Sequence, residues 1–152
     1  MRPEGRFWTK LRARVGGLGG YAVKIAAGPY QTTGLPDSLL ILDGCANFVE
    51  LKAVDALPAR PGSVVFDLRR AITPLQLATL ERIARAGGRA WVALHAHRGL
   101  PWDTVMLPFV DLDKHYRDGR VVTVQIWGES PGFMLGDDAA LRSALTDSYP
   151  IP

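Results

Sequence analysis

Residues 34–53 read GLPDSLLILDGCANFVELKA, two apolar runs on either side of the pair Asp43-Gly44. Asp-Gly tolerates the positive φ angles of a two-residue hairpin turn, so Ser38 to Leu42 and Phe48 to Ala53 are predicted to be paired antiparallel strands. Such a turn pairs Leu42 with Cys45 and, counting outward along both strands, sets Asp37 opposite Glu50. A four-residue loop would still leave the two on one face. Side chains two apart in a strand share a face, so Glu50 and Lys52 project together while Val49 and Leu51 point to the other layer.

Upstream of this hairpin, Phe7, Trp8, Leu11 and Val15 recur at helical spacing among Arg6, Lys10, Arg12 and Arg14, which predicts an amphipathic helix from Glu4 to Val15. Gly16, Gly17, Gly19 and Gly20 end it, and Tyr21 to Ile25 alternates as a strand does. Downstream, a proline-rich connection from Leu57 to Pro61 leads to a short strand at Val64 to Asp67, read as an edge or meander strand. Thr73-Pro74-Leu75-Gln76 has the form of a helix start, with threonine as N-cap, proline in the first turn and glutamine placed for a capping box. That helix should run to about Ala86, bury Leu77, Leu80, Ile83 and Ala84, and stop at Gly87-Gly88 before a strand at Trp91 to Leu94.

The order α-β-β-β-α-β predicts an α/β fold of restriction-endonuclease type, a mixed central sheet flanked by helices. Beyond residue 100 the pattern supports strands at Val105 to Val110 and Val121 to Trp127, and a helix at Asp138 to Leu145 capped by Asp137. The chain's 152 residues, 47% of them apolar, suit one domain, with a core over about residues 4–95 and residues 96–152 as its extension.

Eighteen lysines and arginines against fifteen acids give a net charge of +3, which suits a polyanionic partner. The one cysteine, Cys45, cannot form an internal disulfide, and the N-terminus does not read as a signal peptide. A reducing cytoplasm is therefore expected. No apolar run approaches the roughly 20 residues of a membrane-spanning helix, so no membrane is expected as a partner.

Directly opposed strand residues have Cβ atoms about 4.5–5.5 Å apart, and like charges placed so are destabilising. At an effective dielectric near 20, two carboxylates at about 5 Å repel by roughly 3 kcal/mol. A divalent cation between Asp37 and Glu50 would reverse the sign. Magnesium or manganese suits such a site, with the Leu51 carbonyl as a further oxygen ligand and the Lys52 ammonium positioning or activating a metal-bound water for phosphodiester hydrolysis. The competing account of Glu50 and Lys52 is an exposed ion pair, with Asp37 merely ending a turn.

Gly34-Leu35-Pro36-Asp37, followed thirteen residues after the aspartate by Glu50-Leu51-Lys52, resembles the PD-(D/E)xK nuclease superfamily. Phe66-Asp67-Leu68-Arg69-Arg70, Thr73-Pro74-Leu75-Gln76 and Ala86-Gly87-Gly88-Arg89-Ala90 extend the likeness to its VRR-NUC branch, related to archaeal Holliday junction resolvases. Leu68 stands where that branch's name-giving motif has valine. The resemblance implies a Mg2+- or Mn2+-dependent deoxyribonuclease acting on branched DNA, often as a homodimer, with metal on Asp37 and Glu50, Lys52 as the family lysine, and Gln76 organising the lysine or the attacking water. It also implies a glutamate on the first helix facing the metal, for which Glu4 is the candidate. A small stand-alone nuclease of this kind suits a bacteriophage or prophage, in the cytoplasm of a bacterial or phage-infected cell, and a role in recombination or repair. A flap- or sequence-directed nuclease, and a silent nucleic-acid-binding or assembly subunit of nuclease ancestry, are the alternatives.

Gln76 has a second explanation, since a Thr-x-x-Gln capping box accounts for it without catalysis. Glu4 equally suits a helix N-terminus as a solvated acid. Lys24, Tyr30, Gln31, Thr32 and Thr33 precede the Pro-Asp pair and could reach phosphates or an unstacked base, as could Arg69 and Arg70. His95 and His97 lack supporting ligands at metal-site spacing and read as structural. Trp8, Trp91, Trp102 and Trp127 read as core or interface.

Overall fold

Asp43 and Gly44 both adopt positive φ, at 50° and 78°, and the hairpin they close pairs Leu42 with Cys45 through to Ser38 with Val49. The register is the one that a two-residue turn dictates. The structure is a computed structural model that describes residues 1–25, 34–97, 104–119, 121–123, 133–134 and 137–152.

The elements run α1 (Pro3–Gly17), β1 (Tyr21–Lys24), β2 (Ser38–Leu42), β3 (Cys45–Val54), β4 (Val64–Asp67), α2 (Leu68–Ala71), α3 (Pro74–Arg85), β5 (Arg89–Ala96), β6 (Thr104–Pro108), α4 (Phe109–Arg117), β7 (Val121–Thr123), β8 (Phe133–Met134) and α5 (Asp138–Thr146). The fold is mixed α/β. Among the described residues its main sheet has six strands in the order β1-β2-β3-β5-β6-β8; β3 and β5 are parallel and the other neighbours antiparallel. The parallel step is made by the crossover through β4, α2 and α3, which places α3 on one face of the sheet.

Each face carries its own core. On one side Phe7, Leu11 and Val15 of α1 and Leu141, Ala144 and Leu145 of α5 pack with Leu40, Leu42, Val49, Leu51, Trp91 and Ala93. On the other, Leu80 and Ala84 of α3 and Phe109 and Leu112 of α4 pack with Ala90, Val92, Leu94, Val105 and Leu107. The α1 residues fall at intervals of four, which keeps them on one helix face. Burying a side chain of this size contributes about 1.5–3 kcal/mol, so the parity of β3 strongly disfavours a one-residue slip.

Two expectations change. Val64–Asp67 does not extend the main sheet as an edge or meander strand, because β5 occupies the place beside β3; it pairs instead with β7 in a separate two-stranded sheet. The apolar run Val105 to Val110 is not one strand: Pro108 has no N–H to continue a ladder, and α4 starts at Phe109. Of Val121 to Trp127, the structure describes Val121–Thr123 as strand, and residues 124–127 lie outside the described residues. The helix after Asp137 forms as expected, the aspartate accepting the Ala140 N–H at 2.8 Å. No described helix is long and apolar enough to cross a membrane.

Candidate active site

β2–β3 pairing ends at Ser38 and Val49, and β3 continues as far as Val54 along β5 alone. Asp37 stands at this fork. Its carbonyl accepts the Ile25 N–H at 2.7 Å, and its carboxylate Oδ2 accepts the Leu51 N–H at 2.9 Å. A strand residue's N–H and C=O point to the same side, so the Leu51 carbonyl also faces the β2 side, beyond the last β2 pair and next to the Asp37 carboxylate.

Parity does the rest. Val49 and Leu51 are in the α1–α5 core, which leaves Glu50 and Lys52 on the α3 face, where Glu50 is paired in register with Val92. Glu50 is only 2% exposed and Lys52 17%, with Lys52 Nζ 3.1 Å from Glu50 Oε1. The alternative of an ion pair in solvent therefore fails on burial. A second donor reaches the same oxygen, the Gln76 side-chain amide, whose Nε2 donates at 2.8 Å.

Glu50 Oε2 is buried and has no hydrogen-bond partner among the described residues. Burial, reinforced by the negative charge of Asp37 and only partly offset by Lys52, pushes the Glu50 carboxyl from 4.5 up to about 7. An unsatisfied buried carboxylate oxygen beside another carboxylate is costly unless something positive sits there. Two carboxylates and a main-chain carbonyl form an all-oxygen donor set, which fits a hard divalent cation such as Mg2+ or Mn2+. Asp37, Glu50 and Leu51 are the residues that could hold it.

Gln76 takes part in the cap and also touches Glu50. The capping box is present: Thr73 Oγ1 accepts the Gln76 N–H at 3.1 Å, and Gln76 Oε1 accepts the Thr73 N–H at 3.0 Å. The same side chain contacts Glu50, because one end of a primary amide accepts while the other donates. The cap thus orients the amide. The cap is legible in the sequence, and the second contact of Gln76 appears only when Glu50 is placed beside it.

The outlying candidates separate. Glu4 is exposed in the first turn of α1, a helix that covers the face opposite Glu50 and Lys52; among the described residues no group of three acids, histidines or cysteines could hold a metal. Arg69 is committed within the fold: its Nε and Nη2 donate to the carbonyls of Tyr116 and Arg117 at 3.0 and 2.9 Å, closing the C-terminus of α4. Arg70 is 90% exposed, with Asp67 at 3.7 Å. Lys24 lies over the Trp8 ring at 5.6 Å and is in register with Ser38, on the α1 face. Tyr30, Gln31, Thr32, Thr33, Trp102 and Trp127 lie outside the described residues.

His95 and His97 are structural. His95 is buried, stacked on Phe7 at 4.4 Å, with Nδ1 2.7 Å from Thr104 Oγ1, while His97 Nε2 is 2.7 Å from the Pro3 carbonyl. Trp91 is core, its indole N–H donating to Asn47 Oδ1 at 2.9 Å.

In structure the chain is similar to the Holliday junction resolvase Hjc of Archaeoglobus fulgidus, an archaeal hyperthermophile. The identity is 19% and the TM-score 0.49, over 70% of this chain and 78% of that one. It is also similar to a solved VRR_NUC domain, at 24% identity and a TM-score of 0.44, over 75% of this chain and 94% of that one. No protein-family model matches the sequence, and no curated protein does.

Proposed function

We propose that this protein is a Mg2+- or Mn2+-dependent deoxyribonuclease that hydrolyses phosphodiester bonds at Asp37, Glu50 and Lys52, with selectivity for branched DNA. The observation that carries this reading is Glu50 itself. It is a buried carboxylate with one oxygen bound by Lys52 and Gln76 and the other without a partner among the described residues, beside the carboxylate of Asp37. Two neighbouring acids at this depth cost stability, a cost that a purely structural role leaves unexplained.

The cation, when bound, supplies positive charge against the scissile phosphate and lowers the pKa of a ligated water. Asp37, just before β2, and Glu50 of β3 would hold it, with the Leu51 carbonyl on the same edge. Lys52 Nζ, held against Glu50, is placed to orient the attacking water and to offset charge on the phosphate. Gln76 keeps Glu50 Oε1 occupied by a donor, so that Oε2 is the oxygen left to turn to the metal. Arg70, 90% exposed, is open to contact with a phosphate.

A homodimer would present two such sites to a four-way junction of matching symmetry. Tyr21, Val23, Leu39, Ile41 and Phe48 share Glu50's side of β1–β3 by register and are exposed or only half-buried, an apolar surface that suits a second copy. Light scattering at micromolar concentration tests it, and a monomeric mass argues against it.

The deciding experiment is cleavage of a labelled panel of four-way junction, flap, linear duplex and single-stranded DNA with Mg2+ or Mn2+. Cleavage should require the metal, favour the junction, and vanish in Glu50→Gln and Lys52→Ala. Preference for the flap or for one duplex sequence would replace the branched substrate. Metal-dependent binding without any cleavage would make the protein a binding module.

A further inference from the structure

Gly34 has φ +90°, and a Cβ built on it would fall 2.8 Å from Leu75 Cγ and 3.1 Å from the Leu75 carbonyl carbon and oxygen. The turn that carries Asp37 therefore lies directly on the first turn of α3, at a distance only a glycine permits. Leu75 is adjacent to Gln76, which holds Glu50. Two consecutive residues of one helical turn thus touch the carriers of the two carboxylates, Leu75 the Asp37 turn and Gln76 the Glu50 side chain.

The link from Gly34 to Asp37 is short and stiff. Pro36 fixes its own φ near about −65° and restricts Leu35 to extended conformations. A shift at Gly34 has little slack in which to be absorbed before it reaches Asp37, whose backbone and side chain are tied to Ile25 and Leu51.

Building on the nuclease reading, we propose that Gly34 is a positioning residue: its contact with Leu75 makes the start of α3 a spacer that sets the separation of Asp37 from Glu50, and thereby the affinity of the site for its cation. Gly34→Ala pushes the turn off α3 and draws the Asp37 carboxylate away from the Leu51 N–H. Neither Gly34 nor Leu75 belongs to either core.

The test compares wild type, Gly34→Ala, Leu75→Ala and the double variant by hydrogen exchange of the Leu51 amide in metal-free protein and by Mn2+ titration. Gly34→Ala should exchange at Leu51 at least tenfold faster and bind Mn2+ at least tenfold more weakly, with amides of β5 protected as in wild type. The double variant, which lacks the Leu75 Cγ, should recover part of both. Wild-type exchange and Mn2+ affinity in a folded Gly34→Ala overturn the proposal. Should Gly34→Ala not fold, Leu75→Ala, at a half-exposed position, decides it: faster exchange at Leu51 supports the spacer and an unchanged rate overturns it. A wild type that neither binds Mn2+ nor cuts DNA would sink the nuclease reading, while the metal-free Leu51 comparison would still judge the spacer.

Discussion

Gln76 Nε2 donates to Glu50 Oε1 at 2.8 Å, the oxygen that Lys52 Nζ also approaches at 3.1 Å. Both donors crowd one oxygen of a carboxylate whose other oxygen has no described partner. The asymmetry orients Glu50, and the orientation comes from α3, whose N-cap N–H holds the other end of the amide.

Thr73→Ala and Gln76→Ala should therefore part company. The first loses the hydroxyl cap and about 1 kcal/mol of stability but keeps the backbone N–H that orients Gln76, so kcat should stay near wild type. The second loses a similar stability and should lower kcat by about 10²-fold, the usual scale for a group positioned at a reacting centre. Equal losses in kcat would show that the cap alone matters.

Neutralising one carboxylate should stabilise the metal-free protein. Asp37→Asn keeps an oxygen for the Leu51 N–H while removing the like charge beside Glu50. An expected gain of about 1–3 kcal/mol raises the metal-free Tm by several degrees. The same variant should lose the metal-induced rise in Tm that wild type shows at millimolar Mn2+. Calorimetry with and without Mn2+ reads both, and a variant that melts lower than wild type without metal contradicts the repulsion.

Acidity gives a third check. The folded Glu50 carboxyl lies at about 7, above its ordinary 4.5, so its contribution to metal-free stability is complete below about pH 4.5 and is lost as the pH rises through 7. A displacement of that size corresponds to about 3 kcal/mol. Metal-free wild type should lose stability between about pH 5 and 8 relative to Glu50→Gln. Mn2+ binding should weaken about tenfold per pH unit below 7, because the carboxylate has to ionise to ligate. A Mn2+ affinity flat from pH 5 to 8 would contradict the raised value.

The neighbouring arginines should behave differently. Arg69→Ala removes two hydrogen bonds at the end of α4 and should cost about 1–3 kcal/mol. Arg70→Ala should leave Tm unchanged, weaken DNA binding and reduce the slope of log affinity against log salt by about 1. Melting curves and binding at several salt concentrations separate the two, and reversed phenotypes would overturn the assignment.

The hairpin and its two acids could be read from the chain because everything that sets them is local: Asp43-Gly44 selects the turn, and parity then carries Asp37, Glu50 and Lys52 to one face. Arg69 could not be read in this way, since its acceptors are 47 and 48 residues away and a guanidinium looks the same from sequence whether it meets a carbonyl or a phosphate. Gln76 was split between cap and site because pattern reasoning assigns a side chain one partner, whereas an amide has two ends. Val64–Asp67 showed strand character, but its partner at Val121–Thr123 lies more than fifty residues on. Pro108 was the missed signal for α4, masked by the unbroken apolar run around it.

The far side of the hairpin bears on timing. Asn47 Nδ2 donates to the Leu145 carbonyl at 2.9 Å and its Oδ1 accepts from Arg89 and Trp91, while Arg142 pairs with Asp43 and donates to the Leu18 carbonyl. The strand carrying Glu50 and Lys52 is thus fastened by a helix synthesised about a hundred residues after it. Contacts so distant in sequence form late. On the ribosome the hairpin would emerge well before its clasp, and the two carboxylates would spend that interval without the rigid backing that holds them together. In pulse-labelled exchange during refolding, β2–β3 amides should gain full protection no sooner than those of α5; earlier protection would show that the hairpin stands alone.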